Sequence, residues 1–253
     1  MIIPIDWPAP INIKACITTR QHGASEGAYS AFNLAAHVGD NIEHVEATRR
    51  LLESSPLLPQ SSINWLNQVH GTNIAALPLQ VESTLITADG AYSATVDTVC
   101  AVLTADCLPV LFCNADGSEV AAIHAGWRGL QQGILTKALS MFRAPAEEIF
   151  SYMGPAISQN HFEVGDDVRT AFIEAERLRA YQRPVREAFK SNGLDGKWQA
   201  DLYQLARSEL TAAGVAYVGG GELCTYRDSD LFYSYRRSAL TGRMATLIWI
   251  DKP

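Results

Sequence analysis

Three apolar segments rich in β-branched side chains follow one another between residues 97 and 123, joined by short connections. They are Asp97–Leu103, Val110–Cys113 and Glu119–Ile123. Such segments predict buried strands in succession. Helices are predicted over 40–53, 130–142, 162–178 and 199–213, the first capped by Asp40 with Glu43. The chain is therefore predicted to be an α/β (α+β) protein in which mixed β-sheets are covered by helices.

Composition narrows the range of partners. The 253 residues are 47% hydrophobic and 19% charged, as in an ordinary globular protein, and one domain over 1–253 is expected. The net charge of −7 and the pI of about 5.4 disfavour nucleic acid and anionic membranes as partners. A small anionic substrate is still compatible, because a few local arginines can hold it. A monomer or a weak homo-oligomer is expected.

Cysteine usage and the N-terminal sequence predict a reducing, cytoplasmic location. The chain has five cysteines, an odd number, and none is paired in a CxxC spacing. Residues 1–6 lack the basic start and the long apolar stretch of a signal peptide. The longest apolar stretch, Thr98–Cys113, contains Asp106 and Pro109 and is too short to span a bilayer.

Three motifs each place one metal-ligating or nucleophilic side chain at the end of an apolar run. His70 lies in the segment 67–71, Cys107 in 104–109 and His124 in 122–129. Two imidazoles and one thiolate leave a tetrahedral metal ion one open position, as in catalytic rather than structural zinc sites. For a single histidine or cysteine taken alone, a structural role is the better interpretation, as a histidine bonded to backbone or a core cysteine. Only the fold can bring the three together.

Polar residues near these motifs are candidates for binding substrate. Arg20, Ser25 and Arg128 are candidate anion holders, and Arg128 stands where a helix N-terminus would add N–H groups. Gln68 could hydrogen-bond a substrate hydroxyl or a base edge. Asp106 could also bind substrate or orient one of the histidines. For each of these, a solvated or backbone-bonded side chain is the competing interpretation.

Several motifs in this order resemble the YfiH family, whose members also carry the labels laccase-domain and multicopper polyphenol oxidoreductase. Besides the three motifs above, the resemblance includes Thr19-Arg20, Phe32-Asn33-Leu34, His37-Val38-Gly39-Asp40, Ala88-Asp89-Gly90, Gly154-Pro155-Ala156-Ile157 and Cys224-Thr225-Tyr226. It runs nearly end to end. One departure is His22-Gly23, where small or glycine residues are expected.

The resemblance implies a CNF/YfiH-like cysteine hydrolase fold and one zinc ion, or copper, held by the catalytic residues His70, Cys107 and His124. It also implies phosphorolysis of adenosine, inosine and methylthioadenosine, with some adenosine deamination. Purine nucleoside and phosphate are then the expected partners. Two other activities are associated with the family. One is copper-dependent polyphenol oxidation, and the other is amidase-like editing of peptidoglycan precursors.

The residues do not favour these activities equally. A multicopper oxidase holds its copper cluster with His-x-His pairs, and the six histidines form no such pair. The zinc deaminase pattern of CxxC with a neighbouring Glu is also absent, so deamination would use another scaffold. A metal-free hydrolase with Cys107 as nucleophile and His70 or His124 as base stays the alternative to a zinc enzyme.

Overall fold

The computed structural model describes residues 1–60, 63–78 and 85–252. The helices of these ranges are α1 (Ile42–Glu53), α2 (Trp127–Gln131), α3 (Ile134–Leu139), α4 (Asp166–Ala175) and α5 (Leu202–Ala212). The strands are β1 (Ile2–Pro4), β2 (Ile13–Thr18), β3 (Leu66–Asn67), β4 (Ile74–Leu77), β5 (Ile86–Thr87), β6 (Gly90–Ser93), β7 (Cys100–Thr104), β8 (Leu108–Asn114), β9 (Val120–Ala125), β10 (Ile149–Met153), β11 (Glu163–Gly165), β12 (Phe189–Ser191), β13 (Lys197–Ala200), β14 (Tyr217–Gly220) and β15 (Met244–Ile250).

Two large sheets form the centre of the molecule. One has the strand order β14-β10-β8-β9-β6-β4 and is mixed, because β14 and β4 run parallel to their neighbours while the other pairs are antiparallel. The other has the order β1-β2-β15-β7 and is antiparallel throughout. A small antiparallel sheet, β11-β13-β12, and the parallel pair β3-β5 complete the strands.

The alternation of side chains along each strand explains the layers. In β8, Val110 and Phe112 pack against the helices, whereas Leu111 and Cys113 face the four-stranded sheet. Both faces are covered, so the strand is a continuous apolar run rather than an alternating one. The other face of the four-stranded sheet packs against Leu52 of α1. The predicted fold class, mixed sheets covered by helices, is therefore confirmed.

Some predicted helix boundaries are wrong. The helix predicted over 130–142 is two helices, since Gly133 has a φ of +89° and separates α2 from α3. The segment predicted as a helix over 162–178 begins as β11, and α4 starts only at Asp166. Asn41, not Asp40, caps α1, accepting a hydrogen bond from the N–H of Glu43.

In the described ranges, no helix combines the length and the apolar character that crossing a bilayer requires. The assignment of residues 1–253 to one domain stays a prediction.

Candidate functional site

Strand ends bring the three predicted metal ligands to one place. Cys107 directly precedes β8, and His124 lies near the end of β9. The register pairs Pro109 with His124, so the β8–β9 pairing sets Cys107 beside His124. His70 follows β3 in a turn. The ligand atoms of these residues all lie within 4.8 Å of one another, and the described residues contain no other such cluster of His, Cys, Asp and Glu.

One carboxylate positions both histidines. Asp89 lies between β5 and β6 and is completely buried. Its carboxylate accepts the N–H of His70 at 2.8 Å and that of Gly71 at 2.7 Å, which fixes the turn where His70 has a φ of +62°. It also lies 2.8 Å from Nδ1 of His124. Because an ionised carboxylate can only accept, Nδ1 carries the proton and Nε2 is left for the cluster.

The same contacts determine the charges of the cluster. Burial opposes ionisation of Asp89, but the hydrogen bond from His124 and the backbone N–H groups lower its pKa. Burial also opposes ionisation of Cys107, yet the charge of His124 and hydrogen bonds from His124 and His70 lower its pKa to about 6. Burial acts to lower the pKa of His124, while Cys107 and Asp89 raise it to about 9. Without a metal ion, these contacts therefore favour the thiolate form of Cys107 and the protonated form of His124.

The donor set and the space around it fit a metal ion. Ligand atoms that share a tetrahedral zinc ion lie roughly 3.5 Å apart, so separations of up to 4.8 Å need only small movements. Gly126 borders the cluster, and a Cβ there would stand 3.1 Å from Sγ of Cys107 and 3.1 Å from Cδ2 of His70. Glycine leaves this space open. Imidazole and thiolate suit zinc and copper better than magnesium or calcium.

The cluster opens into a cavity of about 370 Å³. This volume is typical of small-molecule sites. The cavity is lined by His37, Gln68, His70, Leu103, Thr104, Ala105, Asp106, Cys107, His124, Ile157, Phe162, Tyr235, Arg236 and Arg243.

Asp106 joins the cluster to the irregular C-terminal segment. It has a φ of +102°, and its carboxylate accepts hydrogen bonds from Oγ1 of Thr225 at 2.6 Å and from the N–H of Arg236 at 2.7 Å. The carboxylate that orients a histidine is thus Asp89, and Asp106 instead holds the 225–236 segment against the cavity.

The remaining predicted substrate contacts are placed differently. Gln68 lines the cavity, but its amide exchanges two hydrogen bonds with the backbone of Leu103, at 2.7 and 2.8 Å. The structure does not bring Arg20, Ser25 or Arg128 to the cavity lining.

Each of those three residues has another environment. Arg20 donates to the carbonyls of Ser30 and Ser229. Ser25 is buried, and its N–H donates to the carbonyl of Ala31. Arg128 is exposed and lies over the ring of Trp127.

Sequence reasoning missed the role of Asp89 and of the cationic residues in the lining. Asp89 stands in a motif that carries the family resemblance, and a carboxylate before a glycine between apolar runs is a usable indication. Arg236 and Arg243 lie in an irregular, arginine-rich segment with no periodicity. His37, which precedes α1, is ambiguous from the sequence alone.

Comparison with known proteins identifies the family. The family model described as multi-copper polyphenol oxidoreductase laccase matches residues 14–251. A relative from Escherichia coli (strain K12), named purine nucleoside phosphorylase YfiH, is 46% identical over 250 residues, which are 99% of this chain and 98% of the relative.

Solved structures give the same assignment. The crystal structure of a Neisseria meningitidis protein is 45% identical, with a TM-score of 0.91 over 99% of both chains. That of a Bacillus licheniformis protein titled YfiH is 28% identical, with a TM-score of 0.86 over 94% of this chain and 93% of the other. The resemblance to the YfiH family is therefore confirmed, and the chain belongs to the family described as multi-copper polyphenol oxidoreductase laccase.

Proposed function

We propose that the protein is a zinc-dependent purine nucleoside phosphorylase that acts on adenosine, inosine and methylthioadenosine. The observation that carries the proposal is the His70–Cys107–His124 cluster, which has one side open to a cavity of small-molecule size. The name of the Escherichia coli relative supports the choice of reaction. The ligand set supports zinc, because two imidazoles and a thiolate leave one coordination position for a substrate atom.

The reaction exchanges one bond at C1′ of the ribose. The C–N bond to the base breaks and a C–O bond to phosphate forms, giving ribose 1-phosphate from adenosine or inosine and 5-methylthioribose 1-phosphate from methylthioadenosine. The base nitrogen keeps the bonding pair and takes up a proton. When bound, zinc supplies a Lewis acid at the floor of the cavity. Asp89 keeps the two histidine ligands in place, because its carboxylate fixes the turn of His70 and the ring of His124.

Deamination of adenosine is proposed as a side activity of the same cavity. It replaces the exocyclic amino group with oxygen from water and releases ammonia. Its test is the appearance of inosine from adenosine when phosphate is left out.

A Cys–His hydrolase of the amidase type is the second candidate, and one observation favours it. Asp89, His124 and Cys107 form a chain in which a buried carboxylate orients an imidazole that raises the thiolate fraction of a cysteine. This is the arrangement of a cysteine nucleophile with an oriented base, and it needs no metal. Its substrate would be a peptidoglycan precursor that carries a misplaced amino acid. Polyphenol oxidation by several coppers would need further ligand clusters, and the described residues form the single cluster above.

The decisive experiment uses protein purified without added metal. Metal content is measured first, and base release from inosine is then followed with and without inorganic phosphate. We expect about one zinc per chain and release of hypoxanthine that requires phosphate and is matched by ribose 1-phosphate. Equal release without phosphate would make the enzyme a nucleoside hydrolase. Full activity in metal-free protein, or a substrate-derived mass on Cys107, would favour the Cys–His hydrolase.

A further inference from the structure

Two arginines line the cavity although the chain as a whole is acidic. The net charge is −7, yet the lining contains Arg236 and Arg243, with Asp106 and Cys107 as its acidic groups. Both oxygens of the Asp106 carboxylate accept hydrogen bonds from uncharged donors, the hydroxyl of Thr225 and the N–H of Arg236. In the described ranges Asp106 forms no ion pair with either guanidinium, so their donors are not taken up by this carboxylate.

Arg243 is the arginine of the lining whose guanidinium has more free donors. Its guanidinium is half-buried and lies over the ring of Tyr235, with the guanidinium carbon 5.8 Å from the ring centroid. Nη1 donates to the carbonyls of Thr241 and Gly242, each at 3.0 Å. No carboxylate in the described ranges forms an ion pair with it. Burial is the largest influence on Arg243 and lowers its pKa, although the negative groups of Cys107 and Asp106 act in the opposite direction.

His37 is held close to Arg243 by a cross-link between their segments. Oδ1 of Asn33 accepts the N–H of Arg243 at 2.9 Å, and the N–H of Leu34 donates to the carbonyl of Arg243. Nδ2 of Asn33 donates to Asp40 at 2.9 Å, which ties down the far end of the segment that carries His37. Burial first and the charge of Arg243 second lower the pKa of His37, so the two groups sense each other. The ring of His37 has no hydrogen-bond partner among the residues that the structure describes.

We infer that Arg243 and His37 form the site for inorganic phosphate, beside the His70–Cys107–His124 cluster in the same cavity. The inference rests on the proposed phosphorylase function for the identity of the anion. A guanidinium with free N–H groups and an adjacent imidazole donor match the geometry and the charge of a phosphate dianion. A purine nucleoside is uncharged, so it does not account for an unpaired arginine at this position. Arg236 is less available, since both of its terminal nitrogens donate to the carbonyl of Glu163.

The test measures phosphate binding directly, apart from turnover. Inorganic phosphate is titrated by calorimetry into wild-type protein with its metal as purified, and into Arg243→Gln, Arg243→Lys, His37→Gln and the control Arg50→Gln. Arg50 is exposed on α1 and, among the residues that the structure describes, forms an ion pair with Glu46 alone, at 3.8 Å. We expect Arg243→Gln to weaken phosphate binding about tenfold or more, the loss of one charge-assisted interaction. Arg243→Lys should recover part of the affinity, His37→Gln should weaken binding by about threefold to tenfold, and Arg50→Gln should match the wild type.

Kinetics and a stability control separate the outcomes. In phosphorolysis of inosine, Arg243→Gln should raise the KM for phosphate far more than the KM for inosine. If Arg243→Gln does not fold, His37→Gln decides, because its ring bonds no described residue. Phosphate affinity unchanged in both Arg243→Gln and His37→Gln overturns the site, even if the wild type is a phosphorylase. Arg243-dependent phosphate binding in a protein that does not cleave nucleosides supports the site and rejects the proposed function.

Discussion

The two walls of the cavity are built in different ways. The ligand wall consists of His70, Cys107, His124 and Asp89. Strand pairing positions Cys107 and His124, and the carboxylate of Asp89 fixes the turn of His70. The arginine wall consists of His37, Tyr235, Arg236 and Arg243, which lie in segments without regular strands or helices longer than a turn. Sheet register fixes the first wall to within one residue, because a slip would turn every side chain to the opposite face.

The arginine wall is held by side chains that bond to carbonyl groups. Arg237 donates to the carbonyls of Thr225, Tyr226 and Phe232, and Arg236 to that of Glu163. This segment has no strand pairing, so these guanidinium groups supply the hydrogen bonds that its carbonyl groups would otherwise receive from a neighbouring strand. Arg236 and Arg237 therefore use their side chains to hold the backbone of this region in place. The guanidinium of Arg243 donates, among the described residues, only to two carbonyls of its own loop, so it has N–H groups left for a ligand.

The largest effect is expected when the ligand wall loses a donor. His124→Ala should lose bound zinc and reduce phosphorolysis to the limit of detection, since two ligands cannot hold the metal in the required geometry. Removal of zinc from the wild type by a chelator should likewise abolish phosphorolysis, and added zinc should restore the activity. Elemental analysis with an inosine assay measures both effects. His44→Ala, on α1, is the matched control. Equal zinc in His124→Ala and the wild type would remove His124 from the ligand set.

The next effect concerns Asp89, which positions ligands without being one. Asp89→Asn keeps the shape but puts an amide opposite Nδ1 of His124 and weakens the acceptor for the turn at His70. We expect about a 10- to 100-fold loss of zinc affinity, as for other partners of ligating histidines. Competition with a chromogenic chelator measures it, and Asp195→Asn, an exposed position, is the control. An unchanged affinity would mean that the strands alone position the ligands.

The contrast between the walls also explains what the sequence could predict. The strands of the ligand wall are apolar runs with short connections, so β7, β8 and β9 follow from local patterns, whereas the convergence of their ends comes from the strand register. Asp89 acts through a bond to a residue 35 positions away, and no local pattern encodes that pairing. Arg20 and Arg243 are equally polar and equally aperiodic in sequence. The positions of the backbone carbonyls in the fold, which the sequence does not show, determine that the guanidinium of Arg20 bonds to the chain and that Arg243 faces the cavity.

A smaller effect is expected at Asp106, where the two walls meet. Asp106→Ala leaves the N–H of Arg236 and the hydroxyl of Thr225 without their acceptor, which should cost about 1–3 kcal/mol of unfolding free energy. Asp106→Asn keeps one acceptor oxygen and tolerates a positive φ, so it should cost less. Urea denaturation measures the three proteins. If Asp106→Ala is as stable as the wild type, the walls are held together by other contacts.

The smallest effect is expected at Arg20, which the sequence nominates as an anion holder and the structure places among carbonyl groups. Arg20→Gln removes donors to Ser30 and Ser229, so a loss of roughly 1 kcal/mol in unfolding free energy is expected. The KM for phosphate should change less than about twofold, because no bond to the anion is lost. Steady-state kinetics alongside Arg243→Gln makes the comparison. A tenfold rise in the phosphate KM for Arg20→Gln, with none for Arg243→Gln, would place the phosphate site at the loop after β2 and not at the arginine wall.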